Sequence, residues 1–178
     1  MPNITSLAVA FFEACETGRG WEGCRAYCLP NATFAAQSEP LTEIRTLQAY
    51  TEWMKGLLTF MPDGHYEVKS FATDAERNSV CAYGVFSATH TGEGGPCPPT
   101  GKSTRTDYVY VMEFDGDKIR HMTKIWNAGW AMRELGWALP PAFADHQIDR
   151  SSLDEFCLTG KCRGTWLGHS AIFAVPRQ

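Results

Sequence analysis

The chain has 178 residues, 44% of them hydrophobic and 20% charged, and a formal net charge of −4. That length suits one globular domain with a real core and room for an appendage. An acidic balance with no basic block argues against nucleic acid or an anionic membrane as partner, and no apolar run reaches the ~20 residues a membrane span needs.

The N-terminal stretch carries no Lys or Arg before its apolar residues, and Glu13 and Glu16 break its apolar run. It reads as an amphipathic helix over residues 5–16 and not as a signal peptide. Leu7, Ala10, Phe11 and Ala14 form its stripe, and Gly18 and Gly20 end it. Seven cysteines in such a chain point to reduced thiols in the cytoplasm. Neither Cys24/Cys28 nor Cys157/Cys162 has a zinc-ligand spacing, so no metal is expected. A second short helix is expected over 21–28, stopped by Pro30, with a strand beginning at 31–34. The longest helix should span 42–61, where Leu47, Tyr50, Met54, Leu57 and Leu58 recur at helical spacing before a Pro62-Asp63-Gly64 turn.

Beyond that turn the period changes to two. Strands are expected over 65–71 and 79–91, with a Gly- and Pro-rich loop after them over 91–101. Residues 103–127 then read as a β-hairpin about Asp115-Gly116-Asp117. A short helix over 129–135, capped by Gly136, closes the pattern. Residues 138–178 read as an appendage of unknown role, with one strand signal at 171–175. Helices set apart from a run of antiparallel strands give an α+β domain over residues 1–137.

The hairpin carries the functional expectation. If Phe114 pairs with Ile119, strict alternation puts Thr104, Thr106, Tyr108, Tyr110, Met112 and Phe114 on one face with Ile119, His121, Thr123, Ile125 and Asn127. The other face takes Glu113, Arg120, Met122, Lys124 and Trp126. The first face, apolar with a few polar groups, has the character of a small-molecule pocket wall. On it His121 is the expected general base, because an imidazole titrates near neutrality. Tyr108, Tyr110 and Asn127 would steady a developing oxyanion. His90, at a strand end beside the loop, is the second candidate. This register gives the hairpin no inward carboxylate, while Asp63 and Glu93 fall in exposed turn contexts. Lys102 follows a glycine without P-loop spacing, which excludes nucleotide binding. Trp53 and Trp126 are expected at a dimer interface, where aromatics are enriched.

The element order, Thr89-His90-Thr91-Gly92-Glu93, the Pro98-Pro99-Thr100-Gly101-Lys102 loop, Asp115 to Ile119 and Leu135-Gly136 together resemble the SnoaL-like polyketide cyclase, or ester cyclase, group of the NTF2-like superfamily. The resemblance implies a cone-shaped, curved antiparallel sheet wrapped around a long helix. It also implies an enzyme without metal or cofactor that moves a proton next to a carbonyl, giving cyclisation, isomerisation or dehydration. A homodimer and a small hydrophobic substrate are expected with it. Thr106, Thr123 and Met112 would line that substrate from the hairpin, Tyr50 and Met54 from the long helix, and Phe34 from the first strand. The group's last strand often ends in Asp, where this chain has Asn127. The rival expectation is a non-catalytic ligand-binding or dimerisation module on the same fold.

Overall fold

The computed structural model describes residues 3–137, all within the first of the two units into which the chain divides, Met1–Leu139. The expectations about Cys157, Cys162 and a strand at 171–175 lie outside the described residues. Four helices and five strands are arranged as α1 (Ile4–Glu16), α2 (Gly20–Cys24), β1 (Cys28–Ala36), α3 (Leu47–Phe60), β2 (His65–Asp74), β3 (Ser79–Thr89), β4 (Ser103–Asp115), β5 (Lys118–Trp126) and α4 (Ala128–Leu135). This is the expected α+β domain. Its curved, unclosed sheet has the order β1-β5-β4-β3-β2, antiparallel throughout except that β1 runs parallel to β5.

Local chemistry sets the boundaries. Asn3 caps α1 by accepting from the Thr5 N–H, and Thr46 caps α3 by accepting from the Ala49 N–H. The long helix therefore starts at Leu47 and not at 42. The residues just before it pair with the sheet edge, where Phe34 N–H donates to the Arg45 carbonyl and Thr33 bridges to Thr46. The expected helix over 21–28 is shorter as well. α2 ends at Cys24, a single 3-10 turn covers Arg25–Tyr27, and Cys28 already belongs to β1. Gly136, at φ 70°, ends α4 in the left-handed region that glycine adopts without strain.

α1 and α3 lie over the inner face of the sheet, and α4 packs on β4. Between them Phe11, Phe12, Phe34, Leu47, Tyr50, Met54, Tyr110, Met112, Ile119 and Met122 form the core. Phe34 stacks on Tyr50 at 4.3 Å between ring centroids, and Met112 is fully buried. Glu134 ties α4 down by accepting from Thr104 Oγ1 at 2.7 Å and the Arg105 N–H at 2.9 Å.

One irregularity changes the hairpin. Phe114 does pair with Ile119, as the sequence suggests, but the next pair is Glu113 with His121. Arg120 is an extra residue on β5, a bulge that reverses the parity of every position after it. Met112 pairs with Met122, Tyr110 with Lys124 and Tyr108 with Trp126, so Met122, Lys124 and Trp126 point inward. His121, Thr123 and Ile125 point outward, and Ile125 is 60% exposed.

Candidate active site

The inner face of the sheet and the helices over it enclose a cavity of about 40 Å³, roughly enough for a few water-sized groups. Its wall includes Trp53, Met54 and Leu57 of α3, Thr104, Thr106 and Tyr108 of β4, and Lys124 and Trp126 of β5. α4 and the residues after it add Leu135 and Trp137, and the last residue of α1, Glu16, closes one end. Two charged side chains are thus buried in an otherwise aromatic and aliphatic hollow: Glu16, 3% exposed, and Lys124, 6% exposed.

A chain of hydrogen bonds joins them. Lys124 Nζ donates to Tyr50 Oη at 2.9 Å. Tyr50 Oη bonds Tyr110 Oη, and Tyr110 Oη donates to Glu16 Oε1. Each phenol has one proton, and Tyr110 gives its own to the carboxylate, so Tyr50 must donate to Tyr110. The proton order therefore runs one way, from ammonium to carboxylate. Shifting one proton along each link would turn the charged ends into an amine and a carboxylic acid with every bond kept.

Burial acts on both ends in that sense. It raises the Glu16 carboxyl above its ordinary value, opposed by the Lys124 charge and by the Tyr110 and Tyr108 hydroxyls. It lowers Lys124, opposed chiefly by Glu16. Five rings surround Lys124 Nζ, with centroids at 4.9 Å for Tyr108, 5.0 Å for Trp126, 5.3 Å for Tyr50, 5.5 Å for Tyr110 and 5.9 Å for Trp53. Such a cage stabilises a cation by the ring quadrupoles where water cannot. Tyr108 Oη is buried beside Glu16 but makes no hydrogen bond of good geometry among the described residues; burial first, and then the Glu16 charge and its proximity, raise its pKa. A free phenol on a cavity wall is a ready donor to a ligand oxygen. Gly84 leaves room for it, since a Cβ there would come within 2.9 Å of both Tyr108 Cζ and Tyr108 Oη.

The sequence-expected residues divide. Tyr108, Thr106 and Met54 line the cavity, and Tyr50 and Tyr110 belong to the hydrogen-bonded chain behind it. Phe34 and Met112 are core residues beneath it. His121 does not face it. Its Nδ1 bonds Thr33 Oγ1 at 2.7 Å and its Nε2 bonds Thr123 Oγ1 at 3.1 Å, both on the outer side of the sheet. The parity expectation for His121 and Thr123 is therefore corrected by the bulge at Arg120. Asn127, exposed, caps α4 through a bond from the Trp130 N–H at 3.1 Å.

His90 is fully buried but outside the cavity wall. Its Nδ1 accepts from Trp137 Nε1 at 3.1 Å and from the Thr100 N–H at 3.4 Å, which fastens the 92–102 loop and places the ring proton on Nε2. Trp53 and Trp126, both half-buried, meet edge to face at 6.4 Å on the cavity wall.

Sequence reasoning missed Glu16 and Lys124. A signal for Glu16 existed: Ala8, Phe11, Phe12 and Cys15, all buried, continue at helical spacing onto position 16. Lys124 had none, because its direction depends on the bulge. Among the described residues no group of three or more His, Cys, Asp or Glu could hold a metal ion, and no helix is long and apolar enough to cross a membrane.

AclR from Streptomyces galilaeus, a proposed hydroxylase, superposes with a TM-score of 0.64 at 19% identity, over 87% of this chain and 96% of its own. IdmH from Streptomyces antibioticus, a proposed polyketide cyclase, gives 0.60 at 18%, over 75% and 99%. An NTF2-like protein from Burkholderia thailandensis gives 0.60 at 14%, over 75% and 98%. At these identities the likeness speaks for the fold. Comparison with curated proteins gives no match. The family model for SnoaL-like polyketide cyclase matches residues 6–135, from the first helix that carries Glu16 to the last that seals the cavity, and the chain accordingly belongs to that family.

Proposed function

We propose that the cavity binds a small hydrophobic carbonyl compound and moves a proton at the carbon next to its carbonyl, leading to cyclisation, isomerisation or dehydration. The observation that carries this reading is Glu16: a buried carboxyl on the cavity wall, raised above its ordinary value by desolvation and so made a better proton acceptor. The role expected of His121 passes to it. Tyr108, with its unpartnered hydroxyl, donates to the ligand oxygen as negative charge develops there. The chemistry needs no metal or cofactor. A cytoplasmic homodimer remains part of the proposal.

The test is exchange of α-protons into D2O, monitored by NMR, on a panel of small ketones and β-keto esters. Glu16→Gln should lower the catalysed exchange by about 10²–10⁴-fold, the usual worth of a positioned proton-transfer group. Unchanged exchange would remove Glu16 from the reaction. The small cavity, about 40 Å³, favours a second reading, a ligand-binding module without turnover. Binding of panel members with no exchange above buffer would select that reading.

A further inference from the structure

Lys124 is the one charged group in the site that proton transfer by Glu16 does not employ. It is a primary amine buried on the cavity wall, caged by five rings, and hydrogen-bonded in the described residues to Tyr50 alone. Beyond that bond its remaining N–H groups meet no hydrogen-bond acceptor among the described residues. Here they face aromatic rings and the hollow.

We propose that Lys124 Nζ is a nucleophile that forms an imine with the carbonyl ligand, so that the cavity works by amine catalysis. The proposal deepens the reading above and rests on its carbonyl ligand. The hydrogen-bonded chain supplies the free amine: one proton passes from Nζ through Tyr50 and Tyr110 to the Glu16 carboxylate, leaving a neutral amine and a carboxylic acid. Nζ adds to the carbonyl carbon, and a new C–N bond replaces the C–O π bond. Loss of the carbinolamine oxygen as water, with both amine hydrogens, leaves the neutral imine. A proton returning along the chain from Glu16 gives the iminium and restores the carboxylate. That carboxylate then takes the α-proton, and the C–H electron pair flows onto nitrogen as the enamine. Atoms and charge balance with water as the only by-product.

The aromatic cage fits the ammonium and the iminium alike, because its attraction is for positive charge and not for a particular donor pattern. Burial lowers Lys124 from the ordinary lysine value, against the opposing pull of Glu16, and so makes its proton easier to release along the chain. The exposed Lys55, Lys69 and Lys102 have no such environment and serve as internal controls.

Acetone, small enough for the cavity, is the probe. The full-length protein is incubated with acetone and sodium cyanoborohydride at pH 7, and peptides are mapped by mass spectrometry for N-isopropyl-lysine. The expected result is labelling at Lys124 at least tenfold faster than at Lys55, Lys69 or Lys102, and its loss in Lys124→Met. Because mapping is done on the unmutated chain, the result stands even if that variant folds poorly. Labelling at Lys124 no faster than at the exposed lysines would overturn the proposal. Acetone exchange into D2O, measured in parallel, separates the two claims: exchange without Lys124 labelling leaves proton transfer by Glu16 standing and ends the imine, and labelling without exchange leaves the imine standing but overturns both its conversion to an enamine and the proton transfer assigned to Glu16.

Discussion

Glu16 sits where α1 runs out, two turns beyond Ala8 and one beyond Phe12, on a helix face otherwise made of Ala, Phe and Cys. A carboxylate in such a place is stable only if its lone pairs are met, and Tyr110 meets one of them. Its raised pKa makes stability depend on pH with a definite sign. A carboxyl whose folded-state pKa exceeds its ordinary value, here 4.5, binds more protons folded than unfolded above that value. Its contribution is present below pH 4.5 and is lost as pH rises through the raised value. The denaturant midpoint of the native chain, measured against Glu16→Gln from pH 4 upward, should therefore fall relative to the variant as pH rises. A flat difference would mean that Glu16 keeps an ordinary pKa. Lys124 has the opposite sign: a lowered amine pKa adds stability as pH rises toward the ordinary lysine value.

At the scale of elements, the bulge in β5 decides which side chains meet the ligand. Ile119 and Met122 are both fully buried although three positions apart, which strict alternation forbids. The extra residue, Arg120, reaches across to Glu113 at 2.6 Å on the outer face, and His121 sits between Thr33 and Thr123. His121→Gln should accordingly leave α-proton exchange within about threefold, against the 10²–10⁴-fold loss that removal of a true general base brings. A collapse of exchange in this variant, with the fold intact by circular dichroism, would mean that β5 can slip to the unbulged register. The 92–102 loop and α4 meet at a second junction, where Thr100 Oγ1 donates to the Leu135 carbonyl at 2.9 Å and Trp137 donates to His90. That junction holds the loop, the His90 imidazole and the end of α4 together.

For the whole domain, the Lys124–Tyr50–Tyr110–Glu16 chain links β5, α3, β4 and α1 through the core. Such a chain makes the two ends energetically dependent on each other. Removing one charge from a buried pair is expected to cost about 3–5 kcal/mol, while replacing both can be close to neutral. Lys124→Met and Glu16→Gln should each destabilise the fold, and the double variant should be more stable than the sum of the two losses predicts. Urea unfolding of the four species measures this, and simple additivity would show that the tyrosines do not transmit the coupling.

Much of this molecule was legible in the order of its residues. Periodicity located α1, α3 and the four long strands of the antiparallel run, because apolar spacing of 3.6 or 2 reports the face an isolated element must bury. The pocket tyrosines 108 and 110 came from alternation within β4, which is regular along its length. The start of α3 and the end of α2 were not legible, since backbone pairing with the edge strand overrode helical propensity there. Nor was the far half of the hairpin. β5 carries two interleaved apolar sets, Met122 and Trp126 against Ile125 with His121 and Thr123, and one inserted residue chooses between them. A bulge costs little locally and is offset only by packing against α1 and α3, so the choice of Lys124 over His121 belonged to the assembled core.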